Sequence, residues 1–148
     1  MKQKIMVTAA IIMASFTINT IHAQTVNDKI QAKFQKAFPA AEQTTWVALK
    51  TGYEARFSQN GVGTVVGYNR AGREDYMIEH YNADKLPSSI SNRINDIYKE
   101  YDIVDVTEVH LNGETGYLVN IESKKFRKAI RINGDDMDVY KDVAISSR

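Results

Sequence analysis

Residues 52–69 read GYEARFSQNGVGTVVGYN and have the pattern of a β-hairpin. Before the turn, Tyr53, Ala55 and Phe57 alternate with polar residues, as expected for a strand with one buried face. The two halves are separated by Asn60-Gly61, a dipeptide that supplies the positive φ angles of a tight turn. We therefore predict two adjacent antiparallel strands here, with Tyr53 as a buried aromatic residue.

The same pattern returns 64 residues further along the chain. At this constant offset Gly52-Tyr53 aligns with Gly116-Tyr117, and Ile30 aligns with Ile94. The alignment needs no gap and keeps the apolar phase through a helix and several strands. Because this period is too long for the short solenoid repeats, it predicts one supersecondary unit that occurs twice. Tyr117 is then expected to be buried like Tyr53.

Each of the two units is predicted to hold one helix followed by four strands. The first helix follows from an apolar stripe through Val26, Ile30 and Phe34, and it ends before Pro39. We therefore predict an α+β fold, a tandem duplication of a helix plus four-stranded antiparallel sheet unit, with the helices packed on one sheet face. The predicted strands are residues 43–49, 52–59, 62–69 and 73–81 in the first unit, and about 104–111, 116–123, 126–133 and 136–142 in the second.

The first 23 residues have the three parts of a secretion signal. Lys2 and Lys4 precede an uncharged, largely apolar run over residues 5–16, and Ala23 is a small residue suited to signal peptidase. We predict that residues 1–23 are a signal peptide, cleaved near Ala23. The mature chain would then lie in the periplasm or be secreted.

The mature chain, residues 24–148, has the size of one domain. We predict a single domain built from two repeats, about residues 25–84 and 85–148, and no later apolar run is long enough to span a membrane. It would carry 17 basic and 18 acidic residues, a balance that gives no electrostatic reason to expect nucleic acid as a partner. The chain has no cysteine, which excludes disulfides, thiol catalysis and cysteine–zinc sites.

Several structural motifs together resemble a family of exported bacterial proteins. The residues that carry this resemblance are Phe38-Pro39, Trp46, residues 52–57, Asn69-Arg70-Ala71-Gly72, Leu86-Pro87 and Gly116-Tyr117-Leu118-Val119. The pattern resembles the PepSY-like, β-lactamase-inhibitor-like (BLIP-like) proteins of Gram-negative bacteria, over about residues 26–142. The resemblance implies a periplasmic or secreted protein with tandem helix-plus-sheet repeats. It also implies an open sheet face, which the enzyme-inhibiting relatives present to their targets.

The strand pattern places several interface-type residues on the sheet face away from the helices. If Val47 points to the core, Trp46 points outward, in the same phase as Arg56, Leu118 and Arg127. Tryptophan and arginine are common anchors at protein interfaces, so these four outward residues are the predicted protein-binding site. The alternative for Trp46 is a core position, which a one-residue β-bulge would allow.

No catalytic constellation, metal site or cofactor is predicted. The serines lack the Gly-x-Ser-x-Gly setting of a nucleophile, and no glycine-rich phosphate loop is present. The mature chain has two histidines, His80 and His110, with Glu79 and Glu108 as the only further ligands at strand spacing. We expect both histidines to be solvent-facing strand residues.

The preferred function is therefore that of a non-enzymatic periplasmic or secreted binding protein. It would inhibit or regulate an envelope enzyme through its open sheet face, so its partner would be another envelope protein. The alternative is a carrier of a small ligand or a metal ion. A carrier should have a pocket between helix and sheet, lined by Tyr68, Tyr76 or Tyr140.

Overall fold

The computed structural model describes residues 26–145, and the predicted signal peptide, residues 1–23, lies outside the described residues. The described chain forms one antiparallel sheet of eight strands, which follow each other across the sheet in sequence order. Asn60-Gly61 and Asn112-Gly113 have positive φ angles at both residues. The tight turn at Asn60-Gly61 confirms the hairpin predicted there, and Asn112-Gly113 forms a second turn of the same kind.

The first helix ends before Pro39 as predicted, and the strand limits agree with the predicted ones to within two residues. Helix α1 spans Asp28–Ala37 and begins after the N-cap Asn27, whose side chain accepts a hydrogen bond from the Lys29 amide. Helix α2 spans Ser88–Ile97 and follows a short 3-10 helix, Ala83–Lys85. The strands are β1 (Glu42–Ala48), β2 (Gly52–Gln59), β3 (Val62–Asn69), β4 (Glu74–Asn82), β5 (Asp102–Leu111), β6 (Glu114–Glu122), β7 (Phe126–Asn133) and β8 (Asp136–Ala144).

The predicted tandem duplication of a helix plus four-stranded sheet unit is wrong. Strand β4 pairs with β5 from Tyr76 opposite Leu111 to Asn82 opposite Asp105, so all eight strands belong to one sheet. Two separate four-stranded sheets would leave backbone N–H and C=O groups unpaired along β4 and β5. Pairing these two strands satisfies both edges at once, and within residues 26–145 it leaves β1 and β8 as the edge strands.

Both helices pack on the same face of this sheet. Ile30 and Phe34 of α1 are buried with side chains of β2 and β3 in one apolar cluster. Ile94 of α2 is buried with side chains of β5, β6 and β7 in a second cluster. We call this side the helix-covered face. Neither α1 nor α2 packs on the opposite side, which we call the helix-free face.

Tyr53 and Tyr117 lie on the helix-covered face, but both are half-buried rather than buried. The expectation of two buried tyrosines is therefore wrong. Tyr53 stands at the start of β2 beside the edge strand, and Tyr117 is directly opposite Glu108, where the apolar cluster gives way to polar side chains.

Candidate functional site

The helix-free face has an apolar centre built from three neighbouring strands. Ile78 on β4 lies directly opposite Val109 on β5, and Leu118 on β6 is a diagonal neighbour of Val109. All three side chains are partly exposed although they lie near the middle of an eight-stranded sheet. They form an apolar patch that neither helix covers.

Arg56 lies in the same cross-strand row as Ile78 and Val109, with the buried Val65 of β3 between it and Ile78, and a carboxylate holds its side chain in place. Its guanidinium donates two hydrogen bonds to Glu54 Oε2, one from Nε at 3.1 Å and one from Nη2 at 2.7 Å. The Tyr76 hydroxyl donates to the other carboxylate oxygen of Glu54 at 2.5 Å. The network therefore fixes the orientation of Arg56 before any partner arrives.

The bridge from Tyr76 to Glu54 requires a glycine on the strand between them. Gly67 on β3 is opposite Glu54 on one side and opposite Tyr76 on the other. A Cβ atom at Gly67 would lie 2.2 Å from Cε1 of Tyr76, so the aromatic ring lies directly over the glycine. Burial and the hydrogen bond to Glu54 raise the pKa of Tyr76 above that of a free tyrosine, so its hydroxyl remains a protonated donor over a wider range of pH.

Three of the four predicted binding residues share the helix-free face. Arg56 and Leu118 lie at or beside the apolar centre. Arg127 lies towards one end of β7, where its side chain is 60% exposed and its Nε donates a hydrogen bond to Glu122 Oε2 at 2.8 Å. Their role in binding a partner stays a prediction.

Trp46 lies on the helix-covered face, so its predicted outward position is wrong. It is directly opposite the buried Ala55, and its ring meets Phe34 of α1 edge-on at 5.2 Å between centroids. Strand β1 carries apolar residues in both phases, and the larger indole ring is the one that fills the space against α1. A bulge does occur in β1, at Gln43 with a φ of 53°, but it precedes the regularly paired segment that contains Trp46.

His80 also belongs to the helix-free face, where it is half-buried. Its Nδ1 lies 3.0 Å from Thr107 Oγ1, directly across from it on β5. Burial lowers the pKa of His80 below the usual 6.5, and the negative charge of Asp105 opposes part of that shift. The histidine is therefore held neutral in the folded protein at pH values where an exposed histidine takes up a proton.

This lowered pKa predicts a loss of stability at mildly acidic pH. As pH falls through 6.5, the unfolded chain binds a proton at His80 before the folded chain does, so unfolding becomes more favourable. We expect the His80→Gln variant to lose less stability than the unmodified protein between pH 7.5 and pH 5. Urea titrations at both pH values measure the difference, and equal losses in the two proteins would show that His80 does not contribute.

A second polar group lies on the helix-covered face, between the two apolar clusters. Glu79 on β4 is directly opposite Glu108 on β5, and His110 lies two residues further along β5. His110 Nε2 is 3.3 Å from Glu79 Oε2 and 3.2 Å from Glu108 Oε1. One potential ligand atom from each residue lies within 4.8 Å of the other two. We call Glu79, Glu108 and His110 the polar seam.

The surface formed by residues 26–145 includes two shallow clefts. One has a volume of about 290 Å³ and lies beside α1, where Phe34, Phe38 and Trp46 form part of its lining. None of the three tyrosines predicted to line a carrier pocket takes part in it. The other, of about 510 Å³, lies at the turn between β5 and β6 and is lined in part by Tyr76 and His110. This second cleft connects one end of the polar seam to solvent.

Crystal structures of Bacteroides proteins have a similar fold. A BLIP-like protein from Bacteroides fragilis has a TM-score of 0.63 and 20% sequence identity, with 83% of this chain and 90% of that chain covered. A DUF2874 family protein from Bacteroides uniformis has a TM-score of 0.60 and 18% identity, over 81% and 90% of the two chains. A protein from Bacteroides eggerthii that is described as periplasmic has the same TM-score and identity, over 82% and 90%.

These comparisons confirm the resemblance to BLIP-like proteins at the level of the fold, while its PepSY part stays a prediction. No protein-family model and no curated protein sequence matches the chain. Within residues 26–145, neither helix is long and apolar enough to cross a lipid bilayer.

Proposed function

We propose that this chain is a non-enzymatic exported protein that binds another protein of the cell envelope through its helix-free face. The observation that carries this proposal is the patch of Ile78, Val109 and Leu118, which is partly exposed at the centre of the sheet. Apolar side chains that are partly exposed and adjacent to each other indicate a contact surface, whereas apolar residues scattered singly over a surface do not.

The surroundings of the patch suit a protein interface. An apolar centre bordered by polar and charged side chains is the usual organisation of such surfaces, and arginine is enriched among residues that contribute most to affinity. Arg56 is already oriented by Glu54 and Tyr76, so binding would immobilise little additional side-chain freedom. Leu118 lies beside this arginine-containing row and needs no rearrangement to contact a partner.

The structural comparisons support the same class of function. The likeness to the BLIP-like protein of Bacteroides fragilis extends over most of both chains, and the relative from Bacteroides eggerthii is described as periplasmic. An envelope enzyme is the partner class we favour, and inhibition or regulation of that enzyme is the proposed consequence of binding.

The absence of cysteine from the chain makes a site-specific cross-linking test possible. A single cysteine at Leu118 can carry a photoactivatable label without any competing thiol. The matched control places the label at Ile97, which is 64% exposed on α2. We expect label at position 118, but not at position 97, to cross-link one envelope protein from the native host, which mass spectrometry then identifies.

Affinity for the identified partner should depend on the same position. Leu118→Glu places a charge in the apolar centre and should weaken binding at least about 10-fold, because a desolvated carboxylate would lack a partner. Ile97→Glu should bind as tightly as the unmodified protein, and both variants should keep their melting temperatures. Equal cross-linking from the two positions, or equal affinities of the two Glu variants, would contradict binding through the helix-free face.

A further inference from the structure

We propose that the polar seam, formed by Glu79, Glu108 and His110, binds a divalent transition-metal ion, for which zinc is the best match. The seam lies on the helix-covered face, so this site is separate from the protein-binding surface proposed above. It does not depend on that surface being correct.

The seam brings two negative charges together. Glu79 and Glu108 are direct cross-strand partners, an arrangement in which like charges destabilise a sheet. Within residues 26–145, His110 is the only basic side chain that lies within 4.0 Å of either carboxylate. A bound divalent cation would remove this repulsion and supply the missing positive charge.

Two of the distances between the three ligand atoms match those around a zinc ion. Zinc bonds of about 2.0 to 2.2 Å in a tetrahedron hold neighbouring ligand atoms about 3.3 Å apart. His110 Nε2 lies 3.2 Å and 3.3 Å from the nearest carboxylate oxygens of Glu108 and Glu79. A single N–H cannot point at both oxygens, whereas an ion between the three atoms can contact all of them.

Further hydrogen bonds orient two of the three ligands. His110 Nδ1 lies 3.0 Å from Thr115 Oγ1, and donation of its proton to that hydroxyl leaves the Nε2 lone pair turned towards the carboxylates. The Tyr81 hydroxyl donates to Glu108 Oε2, which leaves Glu108 Oε1 facing His110. Such second contacts fix the tautomer and the orientation of metal ligands.

The seam is also open to solvent and suited to one class of ion. The side chains of His110, Glu79 and Glu108 are 33%, 28% and 16% exposed, and His110 lines the cleft at the β5–β6 turn. Three protein ligands leave the fourth position of a tetrahedral zinc ion for water. Calcium and magnesium prefer six or more oxygen ligands, so a site of one nitrogen and two carboxylates favours zinc over both.

Isothermal titration calorimetry with zinc chloride tests the proposal on the purified protein carrying no histidine tag. We expect one zinc ion per chain, no binding of calcium or magnesium, and a higher melting temperature in excess zinc. Cobalt(II) should give visible absorption of tetrahedral intensity at the same stoichiometry. His110→Ala should abolish the zinc signal, and Glu79→Gln should weaken it at least about 10-fold.

Three controls establish that the zinc ion binds at the polar seam and at no other position. His80→Ala removes the histidine of the opposite face and should leave zinc affinity unchanged, as should Leu118→Glu in the protein-binding surface. Circular dichroism establishes that each variant is folded. If His110→Ala does not fold, Glu79→Gln provides the test of the site. The proposal is overturned if the folded protein binds no zinc at one ion per chain, or if His110→Ala and Glu79→Gln both bind zinc as tightly as the unmodified protein.

Discussion

Replacing Phe34 with alanine should lower the free energy of unfolding by about 4 kcal/mol. The side chain is 5% exposed, and its ring meets the rings of Phe57 and Trp46 edge-on at 5.1 Å and 5.2 Å between centroids. Alanine would remove the ring that joins α1 to β1 and β2. The cavity cannot close unless the helix moves, which gives up further contacts.

Phe126 provides a control of the same residue type. It is 41% exposed at the start of β7, so Phe126→Ala should cost less than about 1 kcal/mol. Urea titration measures both losses as shifts of the midpoint at an unchanged slope. Similar losses for the two variants would mean that α1 is not anchored through Phe34.

Local sequence patterns account for the elements of this fold. The apolar stripe of α1 has helical spacing, and Asn60-Gly61 marks a hairpin through a dipeptide that tolerates positive φ angles. No local sequence pattern indicates that β4 pairs with β5. Helix α2 separates these two strands along the chain, so a prediction from local pattern divides one sheet into two.

Alternation of apolar and polar residues does not predict which side chains face the core where both phases of a strand are apolar. Trp46 and Val47 are neighbours on β1, and either could face a core by hydrophobicity alone. The choice is made by tertiary contact, because Phe34 leaves room for a large ring on one side only. Prediction of the helix-free face was correct in phase for Arg56, Leu118 and Arg127, where one phase of the strand is clearly more polar.

The polar seam shows which part of a site a strand pattern can reveal. Glu108 and His110 are two residues apart on β5, so the period of a strand already places them on one face. Glu79 joins them only through the register of β4 against β5. The same register separates His80 from His110, because His80 faces Thr107 on the helix-free side. The two histidines of the mature chain therefore lie on opposite faces of the sheet and cannot belong to one metal site.

Gly52→Ala should destabilise the protein by about 3 kcal/mol, as expected when a side chain is forced into a space already filled by backbone. Gly52 is buried at the start of β2, opposite Asn69 on β3. A Cβ atom there would lie 1.9 Å from the Tyr68 carbonyl oxygen and 2.8 Å from the Asn69 Cα atom. These atoms belong to the backbone of a paired strand, so no rotamer change can relieve the clash.

Two other strand glycines have more space around them, so their alanine variants should be less destabilised than Gly52→Ala. At Gly116 the nearest atom to a new Cβ is Asn133 Oδ1 at 2.5 Å, which can rotate away, so Gly116→Ala should cost less than Gly52→Ala. At Gly63 nothing lies closer than 4.0 Å, and Gly63→Ala should change stability by less than about 1 kcal/mol, since alanine also loses less freedom on folding. Urea titrations should rank the losses as Gly52, then Gly116, then Gly63. Equal stability of Gly52→Ala and Gly63→Ala would contradict the close approach of β2 and β3 at Gly52.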